Sequence, residues 1–156
     1  GLVVPMAEPQ RRLTLDGPVI GTPRYVAPEM LREGGEVTAA TDLYQLGLVA
    51  FFLLAGRHAF DGKASTEILK KQRDEPAPPL TDVGVPSDLA SVVAWCLEKD
   101  PSARPKDAHA LRSALARCAD AGRWDEAAAR AWWAEWRARP RDAGAARVFD
   151  ADREGR

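Results

Sequence analysis

A chain of 156 residues, 46% of them apolar, has room for one domain and can bury a core. Its formal net charge of −1, with acids and bases interspersed, gives no electrostatic reason to expect nucleic acid or an anionic membrane as partner. Cys96 and Cys118 have no metal-ligand spacing, and a reducing cytoplasm fits them best.

Residues 1–20 read as a long loop, polar in the middle and without periodicity. Residues 27–32 are expected to form a short helix ended by Gly34 and Gly35. Residues 43–56, LYQLGLVAFFLLAG, are almost wholly apolar. They fall short of the roughly 20 residues needed to cross a bilayer, and Asp42 and Arg57 flank them closely. The expectation is a helix buried at the centre of the domain, capped by Thr38 or Thr41 and stopped at Gly56. A further helix is expected over 65–73, with Ile68 and Leu69 as its apolar contacts. The prolines of EPAPPL, residues 75–80, forbid regular structure.

Three amphipathic helices follow. Ser87 is the expected N-cap of the first, in which Leu89, Val92, Val93, Cys96 and Leu97 repeat at helical spacing and which Pro101 ends. Asp107 caps the second, with Ala108, Leu111, Leu115 and Cys118 along one face and Gly122 closing it. The third spans 124–139 and is stopped by Pro140. Its Trp124, Trp132 and Trp136 share a face with Trp133 beside it, a stripe expected to pack into the core rather than to dock a partner. From residue 141 the tail is charged and expected to fray. His58 stands in a turn with no cysteine or second histidine nearby, and His109 lies between small residues of a helix; neither suggests a metal.

The stretch GTPRYVAPEM, residues 21–30, resembles the end of the activation segment of protein kinases, whose A-P-E motif falls here on Ala27, Pro28 and Glu29. It is followed in order by TDLYQLGLVAFFLLAGRHAF, by CLEKDPSARP, and by R-P-x-x-A-x-x-L beginning at Arg104. Four ordered blocks are a far more specific signal than one tripeptide. The form G-T-x-x-Y-x-A-P-E is similar to that of serine/threonine kinases, and the style is bacterial. Gly1 looks like the last residue of the magnesium-binding D-F-G motif.

The resemblance implies a mainly α, partial kinase-like fold: the helical C-terminal lobe preceded by an activation loop, without the small β-lobe. It divides the chain into an activation loop and A-P-E segment at 1–30, the helical remainder of the lobe at 31–118, and a tryptophan-rich helix and tail at 119–156. It implies ATP-dependent phosphorylation of protein serine or threonine. Yet the sequence contains no G-x-G-x-x-G, V-A-I-K, H-R-D or complete D-F-G, so ATP and magnesium are implied while their ligands are absent. The chain is expected to be a truncated lobe, inactive alone, whose partners are protein substrates and the missing small lobe and catalytic loop. The alternatives are a catalytically dead helical interaction module or one half of a split kinase.

By the same resemblance, Gly21, Thr22, Pro23, Arg24 and Tyr25 form the shelf under the residue that follows the phosphoacceptor, with Thr22 reaching the catalytic aspartate. Thr14, near Arg11 and Arg12, and Thr22 are candidate phosphosites. Glu29 is expected to make a buried ion pair with Arg104, a pairing whose two parallel hydrogen bonds lysine cannot copy. Asp42 and Gly47 complete the structural motif, Asp42 holding the catalytic-loop backbone in similar kinases.

Overall fold

The structure is a computed structural model and describes residues 22–139. The chain divides into two compact units, the first ending at Ala119 and the second beginning at Asp120.

The first unit is built on helix α1, Ala39–Ala55. Thr38 caps it: its Oγ1 accepts from the Ala40 N–H at 3.3 Å, while its own N–H donates to Thr41 Oγ1 at 3.1 Å. Gly56 ends it at φ 66°, a left-handed turn that a glycine adopts at little steric cost. Helix α2, Ser65–Asp74, packs on the turns Pro23–Tyr25 and Pro28–Leu31; helix α3, Ser87–Cys96, packs on α1; and helix α4, Ala108–Leu115, packs on α3. Among the described residues there are four 3₁₀ turns: Pro23–Tyr25 and Pro28–Leu31 before α1, Leu80–Val83 between α2 and α3, and Pro101–Ala103 between α3 and α4. Three of these open on proline, whose fixed φ suits the first position of a helical turn. No strand occurs among the described residues. The fold is mainly α.

The core gathers Tyr44, Leu48 and Phe51 of α1 with Ala27, Phe60, Ile68, Leu80, Val93 and Leu97. A smaller cluster joins Leu43, Cys96 and Leu111. Where α1 meets α3, a Cβ on Gly47 would stand 2.8 Å from Cys96 Cβ and 3.0 Å from Leu97 Cδ2. Gly47→Ala is therefore expected to overpack this crossing. It should destabilise the chain by about 1–3 kcal/mol, less the roughly 1 kcal/mol that alanine gains in a helix interior. A urea titration with unchanged m-value checks it; an unaltered midpoint would show that the crossing yields.

The apolar helix is not enclosed. Its Leu43, Tyr44, Gly47, Leu48 and Phe51 are buried, but Leu46 is 50% exposed, Val49 40% and Leu53 75%, one stripe at helical spacing. That departs from the expectation of a helix buried all round. Among the described residues this side of α1 presents apolar surface to solvent.

Other departures have local causes. Ser87 is the first residue of α3 rather than its N-cap; Pro86 holds that position and makes no side-chain capping bond. The following carboxylate substitutes in part, Asp88 accepting from the Leu89 N–H at 2.8 Å and the Ala119 N–H at 2.7 Å. Helix α3 stops at Cys96, before Pro101, where the Leu97 N–H closes the last turn on Ala94 O at 2.9 Å; beyond it the carbonyls of Glu98 and Lys99 accept from Arg104. Helix α4 is capped by Asp107, which accepts from Ala110 N at 2.7 Å, and ends at Leu115 well before Gly122.

The second unit contains helix α5, Glu126–Ala138, capped by Asp125 through Ala128 N at 2.7 Å. None of its residues is buried. Trp124 is 63% exposed, and Trp132, Trp133 and Trp136 remain exposed while packing against one another, the closest pair 4.9 Å apart. Within this unit the tryptophans pack on one another rather than into a buried core. They cluster on the surface of a helix whose polar face is neutralised internally by Arg130–Glu126 and Arg139–Glu135 pairs.

Candidate functional site

Two linked features organise the first unit around residues 22–29. One is the turn Pro23–Tyr25, whose N-cap Thr22 is exposed. The Tyr25 N–H donates to Thr22 O at 3.1 Å and the Val26 N–H to Pro23 O at 3.3 Å. Arg24 Nη1 donates to Asp61 Oδ1 at 2.8 Å. The Gly62 N–H, followed by Arg24, holds the Asp61 carboxyl below its ordinary range. His58 stacks on Phe52 at 4.7 Å and meets the edge of Tyr25 at 6.0 Å. Burial, with Arg24 nearby, pushes the imidazole down, which favours its neutral form. From beneath, Gln72 Nε2 of α2 donates to Pro23 O at 2.8 Å.

The other feature is an ion pair. Arg104 Nη2 donates to Glu29 Oε2 at 2.8 Å and Nη1 to Glu29 Oε1 at 2.9 Å, joining residues 75 apart in sequence. The two side chains are 0% and 6% exposed. Charges so far from water are tolerated when every donor is matched, and here all are. Nη1 also donates to Ala40 O at 2.8 Å, Nη2 to Lys99 O at 3.3 Å, and Nε to Glu98 O at 2.7 Å, which uses all five N–H groups of the guanidinium. The guanidinium also lies over the Tyr44 ring, 4.7 Å from its centroid. Thr41 Oγ1 donates to Glu29 Oε1 at 2.7 Å, so this hydroxyl serves both the cap of α1 and the carboxylate. Burial alone would raise the Glu29 carboxyl; the hydrogen bonds from Arg104 and Thr41 outweigh it and hold the group below its usual value. The chain after Glu29 folds back closely, and a Cβ on Gly35 would fall 1.9 Å from Glu29 O.

Ala27 and Pro28 are buried beside Glu29 in the Pro28–Leu31 turn and its approach. Asp42 is exposed in the first turn of α1. Gly1, Thr14 and Gly21 lie outside the described residues.

Three participants carried no signal in the sequence. Gln72 reads as one polar residue in a charged helix, yet it is fully buried. Tyr44 is hidden within an apolar run. Lys99, between two acids, resembles a surface lysine, but its Nζ donates to Gln72 O at 2.6 Å and Tyr44 Oη at 3.1 Å and lies 4.2 Å from the Phe60 ring centroid. None of the ion pairs among the described residues includes it.

Burial pushes the Lys99 amine down from 10.5 to about 8. A lysine with a lowered folded value costs stability while charged, fully so below about pH 8, and the cost is relieved as pH rises toward 10.5. Stability is therefore expected to rise between about pH 8 and 10, beyond which Tyr44, raised by burial from 10.0, opposes it. Melting temperatures across that range check this; Lys99→Met should flatten the rise, and a rise that persists in the variant would remove Lys99 as its source.

A nucleotide with magnesium needs converging acidic ligands and cations for its phosphates. Among the described residues no three His, Cys, Asp or Glu side chains converge on a point, and Arg24 is already committed to Asp61. The described residues do not fit that pair of ligands. No helix among them is long and apolar enough to cross a membrane.

Residues 7–115 match the protein kinase domain family. The chain is similar to the DNA damage-responsive serine/threonine-protein kinase RqkA of Deinococcus radiodurans, 38% identical over 111 residues, which cover 70% of this chain and 16% of that protein. It is 36% identical over 103 residues to the serine/threonine-protein kinase PknA of Corynebacterium glutamicum, covering 66% of this chain and 22% of the relative. Against the serine/threonine-protein kinase PknB of Mycobacterium tuberculosis it is 34% identical over 119 residues, covering 75% and 19%. The chain spans about a fifth of the length of these curated relatives.

Proposed function

The chain belongs to the protein kinase family, in its bacterial serine/threonine branch, and from that premise we propose that it forms the substrate-bearing helical base of a kinase that phosphorylates protein serine or threonine. One observation carries the reading: the Glu29–Arg104 pair fastens the segment bearing Thr22 to the helices behind it. In this reading residues 21–25 are the shelf for the residue after the phosphoacceptor, and Thr22 presents its hydroxyl to the catalytic base. Thr14 is a phosphorylation site whose charge Arg11 and Arg12 help to hold. ATP and magnesium are bound by a glycine-rich lobe and catalytic loop that these 156 residues do not contain. Those elements seat on the exposed stripe of Leu46, Val49 and Leu53, and the enzyme works in the cytoplasm on protein substrates.

Two assays test this. The chain alone, with ATP, magnesium and serine/threonine peptides, is expected to transfer no phosphate. Spliced into the Deinococcus radiodurans kinase in place of the matching segment, it is expected to support serine/threonine phosphorylation. Transfer by the isolated chain, or a folded but inactive hybrid, would contradict the reading.

A further inference from the structure

Gln72 poses a question that core packing leaves open. It lies in the last turn of α2 and is 0% exposed. Its Nε2 reaches Pro23 O at 2.8 Å, across 49 residues of sequence. Its Oε1 is buried with no hydrogen-bond partner among the described residues. A buried orphan acceptor costs stability, and methionine would fill the same volume without that cost. The residue's other tie is through the main chain, where Gln72 O accepts from Lys99 Nζ at 2.6 Å and from Tyr44 Oη at 3.5 Å. Lys99 is in turn fixed by Tyr44 Oη and the Phe60 ring. The side-chain donor is therefore the one part of Gln72 that an apolar residue could not replace, and it is spent on the carbonyl at the front of the turn Pro23–Tyr25.

We propose that Gln72 is a positioning residue that sets the height of the substrate shelf, with Lys99 fixing Gln72 from behind. The inference rests on the reading of residues 21–25 as that shelf. The chain Lys99 Nζ to Gln72 O, then Gln72 Nε2 to Pro23 O, runs from the loop after α3 to the shelf. Arg24 adds a lateral tie to Asp61. Without the Gln72 donor, Pro23 O keeps only the Val26 N–H of its own turn among the described residues. The turn is then free to ride up or down against α2, and a shift of a fraction of an ångström falls on the residue after the phosphoacceptor. That changes how tightly substrate sits more than how fast a seated hydroxyl reacts.

The test pairs two measurements on Gln72→Met. In the isolated chain, amide exchange at Tyr25 and Val26 is expected to quicken about fivefold, the size of one net hydrogen bond. The melting temperature should not fall, because the orphan Oε1 goes with the side chain. In the hybrid kinase, peptide KM is expected to rise by a similar factor while kcat changes less. A structural role alone predicts the reverse, a lower melting temperature with KM untouched, and would overturn the proposal; so would unchanged exchange at Tyr25 and Val26. Should the methionine variant fail to fold, Gln72→Leu, which likewise lacks the donor and the orphan oxygen, gives the same comparison. A hybrid inactive with the native Gln72 would defeat the functional reading, while exchange in the isolated chain still decides whether Gln72 holds the turn.

Discussion

Arg104→Met is expected to destabilise the chain by about 3–5 kcal/mol, the range for leaving one partner of a buried ion pair uncompensated. The geometry explains the size. Removing the guanidinium strands the Glu29 carboxylate at 5% exposure with Thr41 Oγ1 as its remaining side-chain donor, and frees the carbonyls of Ala40, Glu98 and Lys99 at once. Arg104→Lys keeps the charge but has neither the fork nor enough donors for four acceptor residues, so it too should lower the melting temperature. Glu29→Gln leaves the guanidinium buried without a counter-charge and should do the same. Acid sensitivity supplies a signature. A carboxyl held below its ordinary 4.5 contributes stability that is complete above that value and is lost as pH falls through the folded one. The native chain should weaken in that acid window, and Arg104→Met should lose the stabilising contribution. Urea titrations at neutral pH and through the acid range measure both. Equal midpoints for native and variant chains would show that the pair contributes nothing.

The second large effect concerns the uncovered side of α1. Leu46, Val49 and Leu53 form an apolar stripe where a surface helix ordinarily carries polar residues. Burying such a side chain is worth about 1.5–3 kcal/mol, so the isolated chain is expected to self-associate at micromolar concentration. Leu46→Lys with Leu53→Glu should yield a monomer with its helix content intact, since neither leucine is buried in the core. In the hybrid kinase the same double substitution should impair activity if, as proposed above, the stripe seats the rest of the lobe. Light scattering and circular dichroism on the chain, and peptide phosphorylation by the hybrid, give the paired readout. A native chain that stays monomeric and melts cooperatively would contradict this and favour a self-sufficient interaction module.

What could be read from the sequence was whatever depends on local chemistry. Thr38, Asp107 and Gly56 mark helix ends because a side-chain oxygen or a left-handed glycine acts within a few residues. The ends of α3 and α4 fall short of the Pro101 and Gly122 that the sequence offers as stops: past α3 the carbonyls of Glu98 and Lys99 accept from Arg104, and α4 closes in tight turns at Arg117 and Cys118. The tryptophans of α5 share a helical face in any environment, so periodicity could not say whether that face is covered. Glu29 and Arg104 could be paired through a family resemblance, but Thr41, Gln72 and Lys99 could not, since their partners lie 12, 49 and 27 residues away. Burial of a polar side chain is a property of the packed structure, and a single sequence does not encode it locally.

Whether residues 22–25 receive the substrate is tested most directly at Thr22, in the hybrid kinase. Thr22→Ser is expected to retain peptide phosphorylation, whereas Thr22→Val, which keeps the shape and loses the hydroxyl, should reduce it by about 10²-fold, the scale of a misplaced reacting group. A valine variant as active as the native hybrid would contradict the assignment of this turn as the substrate shelf.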